Sequence, residues 1–142
     1  MTMQSISKIL SANDIGATGG HQAGILIPRD PRILGFFPTL DAKLYNPRCH
    51  LMFSDDARQK WEFAFIYYNN ALFSGTRNEY RLTRMTKYLR DAGLDVGDEV
   101  ILRKNGPDGY SVRHRRKNQP EPKDGVLKLG SGWRVIQLDG GK

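Results

Sequence analysis

The sequence holds one cysteine, Cys49, which excludes an internal disulfide and a cysteine-based metal cage. Its histidines, His21, His50 and His114, are scattered and show no metal-ligand spacing. No apolar run approaches bilayer-spanning length. The first residues, Met1 to Lys8, lack a charged region followed by an apolar one, so no signal peptide is expected and the cytoplasm is the expected location. Internal repeats are lacking as well. Acidic residues are in short supply: 15 Asp and Glu stand against 22 Lys and Arg, a net charge of +7. The imbalance is lopsided. Residues 1–70 carry seven cations and six anions, and residues 71–142 carry fifteen and nine. A basic half joined to a near-neutral half suits a face for a polyanion, or solubility alone.

What is present is ordinary globular material. Hydrophobic residues make up 39% and charged residues 26% of 142 positions, with six Phe, six Tyr and two Trp. That composition excludes disorder and fits one domain. We place the domain at residues 1–138, with Asp139 to Lys142 as the start of a linker or an artificial end.

The periodicity predicts a mainly β fold with about seven or eight short strands and two short helices, a barrel or a sandwich. Strands are expected over 4–12, 23–28, 48–53, 61–68, the end of 94–103, 110–115, 126–129 and 133–138. One helix should start at Pro31 with Asp30 as its cap, bury Ile33, Leu34 and Phe37, and stop before Pro38. A second is expected within 83–94, with Thr86 at its cap and Gly93 at its stop.

Two stretches carry candidate chemistry. The loop Asn13 to Gln22 contains three glycines with Asn13, Asp14, Thr18 and His21. It resembles a phosphate loop only superficially, because no Gly-Lys-Ser/Thr ending or helix follows. Its backbone amides suit a DNA phosphate, including those near Gly20, and Asn13, His21 and Gln22 suit base edges. The other stretch, Ser74 to Arg84, follows the apolar run 61–68 and places Arg77, Arg81 and Arg84 around Glu79. Arginine grips guanine O6 and N7, asparagine grips adenine, and glutamate accepts from cytosine N4. Composition alone reads this arm equally well as a solvated loop with Arg–Glu pairs. The cluster Arg113, Arg115, Arg116 and Lys117 fits either phosphate contact or a solvated rim.

Asp108 followed by Glu121-Pro-Lys123 matches the letters of a metal-dependent nuclease pattern. Pro120 and Pro122 flank Glu121, however, and proline does not sit in a central strand. A nonspecific single-strand- or RNA-binding barrel is a third reading.

Residues 11–22 (Ser-Ala-Asn-Asp-Ile-Gly-Ala-Thr-Gly-Gly-His-Gln), 66–69 (Ile-Tyr-Tyr-Asn) and 76–84 (Thr-Arg-Asn-Glu-Tyr-Arg-Leu-Thr-Arg) closely resemble the amino-terminal effector domain of EcoRII-type restriction endonucleases. The resemblance preserves order and covers roughly positions 10 to 90. It implies a DNA-binding pseudobarrel, the fold of plant auxin- and abscisic-acid-response transcription factors, gripping the major groove with two arms. It also implies double-stranded DNA as partner, a CCWGG-type site, no catalysis within this chain and a nuclease domain outside it. No cofactor, membrane or small-molecule substrate is implied. Carried over by position, the first arm is Asn13 to Gln22, with His21 as its main base contact. The second is Ser74 to Arg84, with Thr76 and Arg77 to Arg81 at its centre: Arg77, Glu79 and Arg81 read bases, and Asn78 supports them. The family member compared has lysines where this chain has Gly75 and Tyr80, which puts two cations of the arm in question.

Overall fold

The run 60–68 sets the pattern for the whole molecule. Trp61, Phe63, Phe65 and Tyr67 take one face of it, and all four are buried. Eight further strands supply matching faces. The structure is a computed structural model that describes residues 3–16, 24–106, 109–118, 125–129 and 132–137. In chain order the strands are β1 (Met3–Ile9), β2 (Ile25–Ile27), β3 (Arg48–Ser54), β4 (Lys60–Tyr68), β5 (Glu79–Thr83), β6 (Glu99–Asn105), β7 (Tyr110–Arg115), β8 (Gly125–Lys128) and β9 (Trp133–Gln137). Helix α1 spans Pro31–Leu34, α2 spans Thr86–Asp91, and a 3-10 turn covers Asn70–Phe73. No described helix is long and apolar enough to cross a membrane.

All nine strands join one sheet in the order β2-β5-β4-β3-β7-β6-β1-β9-β8. The pairings are antiparallel except β3 with β7. The sheet curls until its far ends meet: the buried Trp133 indole of β9 donates to the Leu26 carbonyl of β2 at 3.1 Å. This is the curled, barrel-like architecture that the resemblance implied. Inside lie Ile6, Ile25, Ile27, Leu82, Val100, Leu102, Val112 and an aromatic group in which Phe37 stacks on Phe65 at 4.5 Å.

The helices follow their sequence signals. The Asp30 carboxylate accepts the Arg32 amide at 2.9 Å and Pro31 opens α1. Ile33 and Phe37 are buried as expected, together with Phe36, while Leu34 packs partly buried against the core. Helix α2 differs in detail: Met85 takes the cap position without a side-chain bond, and Thr86 is the first helical residue.

The strand missing from the sequence expectation is β5. Five of the eleven residues read as a charged loop arm form a strand between β2 and β4. The reason is visible in the burial. Leu82 and the ring of Tyr80 face the core, while Glu79 and Arg81 face outward. With only two apolar residues, the inward positions are too few to reveal a period of two. Gly24 completes the junction. Its φ is +77°, and a Cβ there would lie 2.0 Å from the Leu82 carbonyl oxygen. Only glycine lets β2 enter the sheet at this point.

Candidate nucleic-acid interface

The second arm is built by asparagines. Asn69, fully buried, holds the arm's root to the loop before β3. Its amide donates to the carbonyls of Ala42 and Leu44 at 3.1 and 2.7 Å, and its carbonyl accepts the Asn46 amide at 2.7 Å. Asn70 then closes the turn. Its side-chain oxygen accepts the Arg77 amide at 2.6 Å, its backbone oxygen accepts the Gly75 amide at 2.6 Å, and Ala71 donates to the Arg77 carbonyl at 2.8 Å. Ser74 turns the chain in the left-handed region at φ 74°. A Cβ at Gly75 would meet the Asn70 side-chain oxygen at 2.6 Å, so glycine at 75 belongs to this closure. Thr76 lies exposed on it.

The outward face of β5 continues from that turn. Arg77 Nη2 and Arg81 Nε both donate to one oxygen of Glu79, Oε2, at 2.7 and 2.6 Å. Among the described residues both of these bonds fall on Oε2 and none on Glu79 Oε1. Burial pushes the Glu79 carboxyl upward, but the Arg77 and Arg81 hydrogen bonds outweigh it and hold the group below its ordinary value. The Arg77 guanidinium also lies 3.9 Å over the Tyr68 ring. Arg81 reaches further: its Nη1 donates to the Gly24 carbonyl at 3.3 Å, where the first arm rejoins the sheet. Tyr80 points the other way, stacked on Tyr67 at 4.2 Å and on Phe65 at 5.7 Å. It is a packing residue of the arm's base. Arg84, exposed and at φ 66°, stands at the far end of β5, about 16 Å from Glu79 at the usual strand rise. Its nearest anion is Glu62, at 3.9 Å.

Of the first arm, Asn13 and Asp14 are described, whereas Thr18, Gly20, His21 and Gln22 lie outside the described residues. Asp14 is committed to local structure. Its carboxylate accepts Lys8 Nζ at 2.8 Å and the Ser11 amide at 2.9 Å, while the Ser11 hydroxyl accepts the Asp14 amide at 3.3 Å. This reciprocal cap fixes where the arm leaves β1. The two arm roots, Asn13 and Asp14 on one side and Arg81 on the other, line a shared cleft of 520 Å³ with Gly24, Leu26 and Trp133.

The basic cluster on β7 divides. Arg113 is exposed. Arg115 pairs with Glu99, an acid only 2% exposed that also accepts from Ser7 and lies 3.8 Å from Arg134. Arg116 donates to the Ala92 and Gly93 carbonyls at the end of α2 and lies 3.6 Å from buried Asp98. The Lys117 amide donates to Asp98 at 2.9 Å, and its ammonium to the Val96 carbonyl at 3.4 Å. Burial favours the neutral form of Asp98, but the Asp95 and Lys117 amides and the Arg116 charge overcome it and keep the acid below its ordinary value. Much of this cluster therefore neutralises buried acids. Asp108, Glu121 and Lys123 lie outside the described residues. Among the described residues no three His, Cys, Asp or Glu gather in a metal-ligand group.

The family described as "Restriction endonuclease EcoRII, N-terminal" matches residues 2–96, a span that holds both arms. The chain belongs to this family. The type II restriction enzyme EcoRII of Escherichia coli is 44% identical over 81 residues, covering 54% of this chain and 20% of that relative. The chain therefore spans a small part of the relative's length. Strands β6 to β9 lie beyond the match to the EcoRII N-terminal family, yet β1 sits between β6 and β9 in the sheet.

Sequence reasoning did not single out Arg29, Asn70, Tyr67 or Tyr68 as parts of the site. Tyr68 carried a faint signal as the end of the apolar run that precedes the arm. Arg29 carried none, since its partners are 49 residues away.

Proposed function

We propose that this chain binds duplex DNA at a specific sequence through two major-groove arms, as the non-catalytic recognition and effector domain of a restriction endonuclease. The observation that carries the reading is the Arg77–Glu79–Arg81 array: two guanidiniums and one carboxylate, ordered by one another at the start of β5, a strand paired on both sides. Guanine needs a paired donor and cytosine an acceptor, and this array offers both within one arm. Membership of the EcoRII N-terminal family supports the restriction-enzyme setting. A site of the CCWGG type, rich in guanine and cytosine, suits the donor–acceptor mixture. Arg77, Glu79 and Arg81 are the readers of the second arm. The segment Asn13 to Gln22, with His21, is the first arm, and Arg113 and Arg84 are exposed cations available to phosphates. The nuclease domain of the parent enzyme is the protein partner.

Selection of bound duplexes from a random pool tests this directly. Recovery of one short, near-palindromic guanine- and cytosine-rich site is the expected result. Equal retention of unrelated duplexes, or of single strands, refutes sequence-specific binding. Incubation with plasmid and magnesium should leave the plasmid intact; cleavage lost in Glu121→Ala would establish the nuclease reading instead.

A further inference from the structure

The geometry points to Arg29 as the positioning residue of the second arm, acting through Asn78, which it turns into a donor-only side chain that does not read adenine. The inference rests on the proposed DNA-binding role of that arm. Arg29 follows β2 in the loop leading to α1, 49 residues from Asn78. Its Nη2 donates to the Asn78 backbone carbonyl at 3.1 Å and also to the Asn78 side-chain oxygen. The Tyr67 hydroxyl donates to that same oxygen at 2.7 Å. A guanidinium has donors and no acceptor, so the amide orientation of Asn78 is fixed by chemistry: Oδ1 must face Arg29 and Nδ2 must face away. The clamp is itself held. The Arg29 guanidinium lies 5.2 and 5.6 Å over the Tyr80 and Tyr67 rings, which stack on one another at 4.2 Å with planes 8° apart.

Reading adenine through asparagine takes one acceptor and one donor from the same amide, bonded to adenine N6 and N7. Here the acceptor has two donors on it already. Adenine recognition would require breaking one of these bonds and leaving either the Arg29 guanidinium or the hydroxyl of buried Tyr67 to find another partner. Asn78 sits directly between Arg77 and Glu79 in the chain. Holding its backbone carbonyl and its side chain together therefore fixes where the arm turns into β5, and with it the direction of the neighbouring readers.

The test is a double-mutant cycle on the chain with the duplex recovered from the random pool. Arg29→Ala and Asn78→Ala should each weaken binding about tenfold, the scale of one charge-assisted hydrogen bond. The double variant should lose no more than either single one, because both substitutions break the same clamp. The slope of log affinity against log salt should stay at the wild-type value in Arg29→Ala. Replacing each adenine of the site in turn by 7-deazaadenine should affect wild type and Asn78→Ala equally. A salt slope lower by about one would make Arg29 a phosphate contact and overturn the inference. So would additive losses, or an adenine whose 7-deaza substitution weakens wild type but not Asn78→Ala. Arg29 is exposed, and thermal unfolding of each variant checks that the fold is kept. Failure of the wild type to retain any specific duplex is seen before a variant is made; it refutes the DNA reading itself and this inference with it.

Discussion

Glu79→Gln separates the carboxylate's two duties. The substitution keeps the side chain's shape, removes its charge and replaces one of its two oxygens with a donor. Both arginines now bond Glu79 Oε2, at 2.7 and 2.6 Å, and in the amide variant those bonds survive only as neutral-acceptor contacts of about half the strength. For partly exposed pairs that amounts to a stability loss of about 1 kcal/mol. Binding responds differently. Loss of an acceptor for cytosine N4 costs about 1–3 kcal/mol of discrimination at that base. Against this, removing a negative charge next to phosphates strengthens contact with any duplex, at low salt above all. The expected outcome is therefore asymmetric: weaker binding to the selected site, with unchanged or tighter binding to unrelated DNA. Gel-shift titrations against a panel of singly substituted sites measure both. If specific and unrelated binding fall in the same proportion, or preference at every cytosine is unchanged, Glu79 does not read a base.

Other substitutions probe the remaining links. Arg77→Ala should weaken cognate binding by about 1–3 kcal/mol with little change in unfolding, whereas Arg81→Ala, which also releases the Gly24 carbonyl, should lower both; paired titration and urea denaturation distinguish them. Glu99→Ala leaves the half-buried Arg115 and Arg134 without their shared, buried anion, and should destabilise the fold by about 3–5 kcal/mol in urea; a loss below about 1 kcal/mol would mean the cluster is solvated. Stability should also fall in acid. Asp30, Asp55, Glu79 and Asp98 are all held below their ordinary values, Asp30 down to about 2 by its Arg32 hydrogen bonds and Asp55 chiefly by the Trp61 indole. Their charged forms favour the fold, so the contribution is complete above the ordinary carboxylate range and is lost as pH falls from about 4 toward the folded values. Urea midpoints measured between neutral pH and about pH 3 check this, and Asp55→Asn should flatten the curve.

Much of this molecule was legible in its sequence, for identifiable reasons. The strand 61–68 alternates large aromatics, and α1 carries Asp30 and Pro31 at its start, so local chemistry set both, although the helix ends at Leu34, ahead of the stop expected at Pro38. Strand β5 was hidden because tertiary pairing on two sides, with β2 and β4, holds residues whose own pattern is polar. The residues proposed as readers were visible as letters, but their mutual bonding was not, since a shared carboxylate oxygen is a matter of geometry. The basic cluster misled in part. Cations at 115 and 116 look free in a sequence until the acids that need them, Glu99 and Asp98, are known to be buried. Arg29 shows the limit most clearly, because nothing near it in the chain announces an arm on the other side of β2.

The meeting of Gly24 with Leu82 has a mechanical consequence. The first arm returns to the sheet and the second leaves it on adjacent strands, joined backbone to backbone with no side chain between them and braced by Arg81. Neighbouring strands keep a fixed spacing, so the roots of the arms cannot slide apart to suit the ligand. They behave as a caliper of preset gauge. On the proposed DNA-binding role, a groove of the wrong width should be rejected before any base is read, and an A-form duplex, with its deep, narrow major groove, should fail on calibre alone. Gly24→Ala, which forces that joint open, should widen the gauge and let shape discrimination lapse along with stability.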